Sequence, residues 1–156
     1  MKKTKSKTLQ LLTWSAFLVY LLVLINLTIF ERHSYAEISW WQKIASINFT
    51  PFKTIFYYLR GNQNINVAIV NLLGNILAFI PMGFLLPILF GRYKKIRNVF
   101  YISFIVSLSI EMIQLIFRLG SCDIDDIILN ILGGLVGFSF YMFLNYRVRA
   151  KHENTN

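Results

Sequence analysis

Charged side chains are scarce in this chain. Only 15% of its 156 residues are charged and 56% are hydrophobic, whereas about a quarter of the residues in an ordinary soluble domain are charged. This composition excludes an ordinary soluble domain. It indicates instead a single membrane domain that occupies residues 1–156.

Cysteine and histidine are almost absent. Cys122 is the single cysteine and has no partner for an intrachain disulfide, and His33 and His152 both lie in polar flanks of the sequence. These residues make no metal-ligand cluster, so we expect no metal site and no cofactor. No histidine falls within an apolar run, which excludes Ser–His protease and His-dependent phosphatase chemistry inside the membrane.

Acidic residues are also few, at 7 against 16 Lys and Arg, and the net charge is +9. A strongly basic chain can indicate a nucleic-acid-binding protein. Here, however, the basic residues stand at the ends of apolar runs, which is typical of membrane proteins. Membrane lipid is therefore an expected partner, and nucleic acid is not.

Four apolar runs are long enough to cross a bilayer whose hydrocarbon core is about 30 Å thick. They predict an all-α, polytopic membrane protein with spans at residues 9–30, 67–90, 99–117 and 127–145. The first run is longer than the apolar core of a signal peptide, so we expect an uncleaved anchor. The second is expected to be interrupted at Asn71, Gly74, Asn75, Pro81, Gly83 and Pro87. Such breaks are tolerated in lipid only where neighbouring helices or waters satisfy the freed backbone groups.

The one long connection, residues 31–66, is rich in aromatic residues and is expected to lie on the outer membrane surface. Thr50 as N-cap and Pro51 at the first helical position predict a short interfacial helix that ends at Gly61. For the part before Asn48, a plain aromatic linker is an equally good interpretation.

The distribution of Lys and Arg predicts the orientation. Eleven lie in the N-terminal segment, the loop from Arg92 to Arg97 and the C-terminal tail, and five lie in the long connection and the turn before the fourth span. Because basic residues accumulate on the cytoplasmic side, both termini are expected to be cytoplasmic.

Polar residues recur at helical spacing in the last two spans. One set is Ser107, Glu111, Gln114 and Arg118, and the other set is Asp126, Asn130, Gly133 and Gly137. The spacing places each set on one face of a helix. A carboxylate such as Glu111 within an apolar span is costly unless it faces a partner or a cavity, so a functional role is the default interpretation. The alternative is that Glu111 only joins helices through Gln114 and Asn130.

Together these residues predict a polar pocket that opens to the outside. Its walls are expected to be Asn71, Asn75, Glu111, Gln114, Asp126 and Asn130, with Arg118 and Asp123 at its mouth.

Structural roles are expected for Pro51, Gly74, Pro81, Gly83, Gly133, Gly134 and Gly137. The last three allow the fourth helix to approach its neighbours closely. Asp123, Asp125 and Asp126 are more readily explained as a solvated cap of the fourth helix than as a cation site.

Four motifs in order carry a resemblance to a known family. They are N-x-x-P-F from Asn48, N-x-x-G-N-x-x-x-F-x-P-x-G from Asn71, S-x-x-x-E-x-x-Q from Ser107, and R-x-G-x-x-D-x-x-D-x-x-x-N-x-x-G-G from Arg118. In this order and spacing, they resemble the VanZ-like family of bacterial membrane proteins. The resemblance implies a helical bundle in the bacterial plasma membrane and a role in low-level resistance to teicoplanin-type glycopeptides.

Three functions are consistent with these residues. The first is a non-enzymatic protein whose pocket binds a lipid-linked cell-wall precursor or a lipoglycopeptide. The second is an envelope enzyme in which Glu111 and Asp126 serve as acid and base. The third is a small proton-coupled exporter, although exporters that work as inverted dimers need near-equal charge at both faces, unlike this chain.

Overall fold

Helix is the regular secondary structure in the residues that the computed structural model describes, namely 7–30, 39–117, 119–120 and 122–153. The α-helices in these residues are α1 (Lys7–Ile25), α2 (Trp40–Ala45), α3 (Lys53–Leu59), α4 (Ile65–Leu89), α5 (Ile96–Ile116) and α6 (Ile124–Glu153). Extended backbone pairs at one place in this part of the chain, a parallel bridge between Asn48 and Asp123.

Four helices are long and apolar enough to cross a membrane, which confirms the predicted all-α, four-span architecture. They occupy Lys7–Thr28, Ile65–Leu89, Ile96–Ile116 and Ile124–Val148. Each differs from its predicted span by a few residues. The last helix differs most, because α6 continues to Glu153, well into the segment expected to be a polar tail.

Helix α4 is continuous, so the expectation of interruptions was wrong. Pro81 and Pro87 both lie inside it. A proline removes one backbone donor and disturbs the preceding turn, and in lipid a neighbouring helix must satisfy the carbonyl groups affected. The Tyr20 hydroxyl on α1 donates to the Ala78 carbonyl at 3.0 Å, one residue after the Leu77 carbonyl that Pro81 leaves without its helical donor.

Glycine allows α4, α5 and α6 to pack with their backbones close together. A Cβ atom at Gly83 would overlap the backbone of Gly134, and one at Gly133 would overlap that of Ile76. Gly134 faces the side chain of Ser103 on α5, and Gly137 faces the backbone of Ile80. Gly74 differs, because a Cβ atom there would meet nothing within 4 Å.

A buried apolar cluster lies between α4 and α5, and α1 contributes Leu24 to it and packs Tyr20 against it. The core cluster contains Leu24, Phe79, Met82, Leu86 and Ile110. Leu24 is the one buried residue of α1, whose other apolar side chains are largely exposed. Helix α1 is therefore a peripheral helix that packs mainly along α4.

The connection before α4 contains α3, but α3 does not begin where the sequence predicted. Its N-cap is Phe52, with a φ of 64°, rather than Thr50. The amide of Thr50 instead donates to Asn48 Oδ1 at 3.1 Å, in a turn that precedes the helix. Gly61, with a φ of +73°, follows α3 as expected of a helix stop. The interfacial position of α3 and the orientation of the termini stay predictions.

We expect Gly133→Ala to destabilise the protein, because the new methyl group would overlap the α4 backbone and the two helices would have to separate. Overpacking of this kind costs about 1–3 kcal/mol. Gly74→Ala is the matched control and should be neutral or mildly stabilising, since its methyl group enters open space. Thermal unfolding in detergent compares the two variants. Equal melting temperatures would contradict the close packing of α4 on α6.

Candidate functional site

Asp125 joins the start of α6 to the start of α3. Its side chain is fully buried. One carboxylate oxygen accepts from the amide of Phe52 at 2.5 Å, and the other accepts from the amides of Thr54 at 2.7 Å and Ile55 at 3.1 Å. These are unpaired donors of a helix N-terminus, so Asp125 caps α3 from a position 71 residues further along the chain.

Asp123 extends this network. Its carboxylate accepts from the amide side chain of Asn48 at 2.8 Å, from the hydroxyl of Thr54 at 2.6 Å and from the backbone amide of Asp125 at 2.9 Å. Its own backbone amide donates to Glu111 Oε2 at 3.0 Å. Asp123 therefore connects the long connection, α5 and α6 through a single residue.

The backbone reinforces these contacts. Asn48 N donates to the carbonyl of Cys122 at 2.9 Å, and Ile124 N donates to the carbonyl of Asn48 at 3.0 Å. We call Asn48, Thr54, Glu111, Asp123 and Asp125 the carboxylate network. The end of the bundle that contains it is called the α3 end.

The remaining polar residues of the predicted pocket pair between helices. Asn75 Nδ2 donates to Asp126 Oδ1 at 2.6 Å, which joins α4 to α6. Asn130 Nδ2 donates to Ser107 Oγ at 2.8 Å, which joins α6 to α5. Gln114 Nε2 donates to the carbonyl of Thr28 at 2.8 Å, so that α5 contacts the turn that extends α1.

The predicted pocket residues therefore fall into two groups. Glu111, Gln114, Asp123 and Asn130 are buried inside the bundle. Asn71 and Asn75 are half-buried on α4, and Asp126 is half-buried behind Asn75. Arg118, predicted at the mouth, lies outside the described residues. The structure thus brings Asn75 and Asp126 together at the edge of a groove but places Glu111 in the interior.

This groove runs between α1 and α4. Near the α3 end it forms a cavity of about 270 Å³ that is lined in part by Thr28, Asn71 and Asn75. Further from the α3 end it continues as a cavity of about 280 Å³ whose lining includes Tyr20, Leu77 and Pro81. Three residues line both cavities, namely Leu27, Gly74 and Ala78. The α1–α4 groove is therefore polar near the α3 end and apolar along its length.

The groove explains the open space at Gly74. A side chain at this position would project where the two cavities meet, since no neighbour lies within 4 Å of an added Cβ atom. Gly74 was predicted to have a structural role. That role stays a prediction, and the structure places Gly74 in the lining of both cavities.

Sequence reasoning missed Asn48, Thr54 and Asp125 as members of the network. Asn48 was visible as the first residue of the N-x-x-P-F motif, and Asp125 as the middle aspartate of the acidic turn. Nothing in the sequence indicated that they meet. Asp125 was expected to be part of a solvated cap for α6, whereas it is buried and caps α3.

The chemistry available at this end comes from carboxylates and amides. No group of three or more His, Cys, Asp or Glu within the described ranges is suited to hold a metal ion. Cys122 is a buried free thiol in the turn before α6. Burial raises the pKa of the Cys122 thiol, and the negative charges of Glu111, Asp123 and Asp126 raise it further. The thiol is therefore poorly placed to act as a nucleophile.

We expect Asp125→Ala to lower the membrane abundance of the protein and to expose the connection before α4 to protease. The substitution leaves three backbone N–H groups of α3 without an acceptor, at about 1–3 kcal/mol for each that stays buried. Thr50→Ala is the control, because Thr50 is exposed and its hydrogen bonds to Asn48 and Lys53 are made by backbone groups, which alanine keeps. Immunoblots after limited proteolysis would measure both effects. Equal protection of the two variants would show that Asp125 does not hold α3.

Comparison with known proteins agrees with this architecture. The model of the VanZ/LLP1 family matches residues 17–145, a range that includes the carboxylate network and the α1–α4 groove. Protein VanZ of Enterococcus faecium is 30% identical over 135 residues, which cover 85% of this chain and 75% of that protein. No solved structure matches the chain. The chain is thus a multi-pass membrane protein that belongs to the VanZ/LLP1 family.

Proposed function

We propose that this protein binds an amphiphile in the α1–α4 groove and thereby confers low-level resistance to teicoplanin-type lipoglycopeptides. The ligand is either a lipid-linked cell-wall precursor or the antibiotic itself. The groove opens to the outer face of the bacterial plasma membrane if the positive-inside distribution sets the orientation. The observation that carries the proposal is the change along the groove from polar to apolar lining.

The polar end of the groove suits an uncharged, hydrogen-bonding head group. Asn71 and Asn75 present amide side chains, which can both donate and accept hydrogen bonds. Among the residues that line this end none is charged, and Asp126 lies behind Asn75 as its acceptor. Amides are suited to peptide and sugar groups, which both candidate ligands contain.

The apolar part of the groove suits a hydrocarbon chain. It contains Leu77 and Val23, which are both exposed on the bundle surface. An acyl chain can therefore enter sideways from the lipid rather than through a closed entrance. A cavity of this lining favours ligands with a lipid tail over ligands without one.

The contacts of Glu111 favour a structural role over acid–base catalysis. The side chain is only 1% exposed, and Oε2 accepts from the backbone amide of Asp123 at 3.0 Å. A general base must lie within hydrogen-bond reach of the substrate or of one bridging water. Glu111 does not line the α1–α4 groove, so the binding function is preferred to the enzyme and exporter alternatives.

Expression in a susceptible Gram-positive host should raise the inhibitory concentration of teicoplanin more than that of vancomycin, because only teicoplanin carries an acyl tail. Gly74→Leu should abolish the difference while membrane abundance is unchanged, since the new side chain fills the groove without a clash. Val67→Leu, at an exposed position of the same helix outside the groove, is the control and should behave like the unmodified protein. An equal shift for both drugs, or full activity of Gly74→Leu, would refute the groove as the binding site.

Glu111→Gln should retain both membrane abundance and resistance, because glutamine keeps a carbonyl oxygen that can accept from the amide of Asp123. Glu111→Leu removes this acceptor and should lower abundance. Immunoblotting of membranes beside inhibitory concentrations separates the two effects. If Glu111→Gln is abundant but inactive, the carboxylate has a chemical role. Mass spectrometry of lipid-linked precursors would then test whether the protein modifies them, as the enzyme alternative requires.

A further inference from the structure

A separate cavity, of about 470 Å³, lies at the opposite end of the bundle from the carboxylate network. It is enclosed by the first turns of α1, the end of α4, the turn after it and the last membrane-embedded turns of α6. Its polar lining includes Gln10, Lys94 and Asn145, and its apolar lining includes Trp14, Pro87 and Leu89. A polar rim beside an apolar wall matches the boundary between lipid head group and acyl chain.

The charge around this cavity is of one sign. Lys94 lines it, Lys95 follows Lys94 in the chain, and Lys7 lies one helical turn before Gln10 on α1. The sequence has no Asp or Glu in residues 1–30, 86–110 or 127–152, which supply the elements around the cavity. An anionic group would therefore meet no acidic residue of these segments.

Aromatic packing holds the turn that carries Lys94. The ring of Phe90 lies 5.3 Å from that of Trp14 on α1 and 5.7 Å from that of Tyr93. Arg92 lies over the ring of Tyr93 at 4.7 Å, and the carbonyl of Arg92 accepts from Asn98 Nδ2 at 2.9 Å. Trp and Tyr at this level are typical of the membrane interface. The aromatic contacts therefore fix the turn beside the first turns of α1.

We propose that this cavity is a binding site for an anionic phospholipid. The phosphate lies at Lys94, the hydroxyl groups of a glycerol head group contact Gln10 and Asn145, and the first acyl carbons lie along Trp14 and Pro87. Basic pockets between transmembrane helices are suited to such lipids. The site is separate from the proposed α1–α4 groove, since this cavity shares no lining residue with either of the two cavities that form the groove.

The position of the cavity gives the bound lipid a structural consequence. Leu24 is the one fully buried residue of α1, and near the other end of the helix the contact of Trp14 with Phe90 joins α1 to the end of α4. A lipid seated between α1, α4 and α6 adds contacts at the end of α1 that is distant from Leu24. We expect the lipid to stabilise the association of α1 with the bundle.

The test uses the full chain, purified in an uncharged detergent and titrated with phosphatidylglycerol or phosphatidylcholine of the same acyl chains. Native mass spectrometry counts the bound lipids. Phosphatidylglycerol should bind at least about fivefold more tightly, and Lys94→Gln should lose about fivefold of that affinity. Lys53→Gln, which removes a lysine from α3 at the other end, is the matched control and should change nothing.

Gly91→Leu separates a seated lipid from general attraction to a basic surface. Gly91 lines the cavity and has nothing within 4 Å of an added Cβ atom, so leucine fills the cavity without a change of charge. It should abolish the phosphatidylglycerol preference, and Gln10→Leu provides the same test on another wall. Inorganic phosphate, compared with chloride at equal ionic strength, should not displace the lipid.

Four results would overturn the proposal. Equal binding of the two lipids would show that no anionic head group is recognised. A loss in Lys53→Gln as large as that in Lys94→Gln, or full binding by both cavity-filling variants, would show that the attraction is diffuse. Displacement by inorganic phosphate would show that the site recognises a soluble anion and not a lipid.

Discussion

The burial of two aspartates against the connection before α4 is the interaction on which the α3 end depends. Asp125 accepts from three backbone amides at the start of α3, and Asp123 accepts from Asn48 and Thr54. A buried carboxylate is tolerable when it receives several hydrogen bonds, because these replace the lost hydration. The network therefore fixes where the connection lies on the bundle.

The bundle contains a rigid part and a loosely attached part. Helices α4 and α6 pack through glycines at backbone distance, so neither can shift without a clash. Helix α1 instead touches the core through Leu24 and is joined by the Tyr20 hydroxyl and the contact between Gln114 and Thr28. Gaps along such a peripheral helix are where lipid-like molecules fit. Both proposed binding sites lie beside α1, one near each end.

The proposed functions follow from where polar groups are left half-buried. Fully buried groups such as Glu111 and Asn130 pair within the protein, and their hydrogen bonds orient helices. Asn71, Asn75 and Lys94 lie at cavities and are accessible to a ligand. Uncharged amides at the α3 end and a lysine at the opposite end favour different head groups. The two proposals therefore assign chemically distinct amphiphiles to the two ends of the same fold.

The sequence by itself determined the four membrane-spanning helices and the family, because apolar runs must be helical in lipid and the motif order is specific. It also indicated that Gly133, Gly134 and Gly137 allow the fourth helix to approach its neighbours closely, since small residues mark helix contacts in membranes. Only the tertiary structure decided which polar residues are buried and which face a cavity. Glu111 and Asn75 look equally suited to a pocket in the sequence, yet one is enclosed by the acidic turn and the other lies beside a groove. The cap of α3 could not be predicted, because Asp125 reaches it through contacts between residues distant in the chain, which no local pattern encodes.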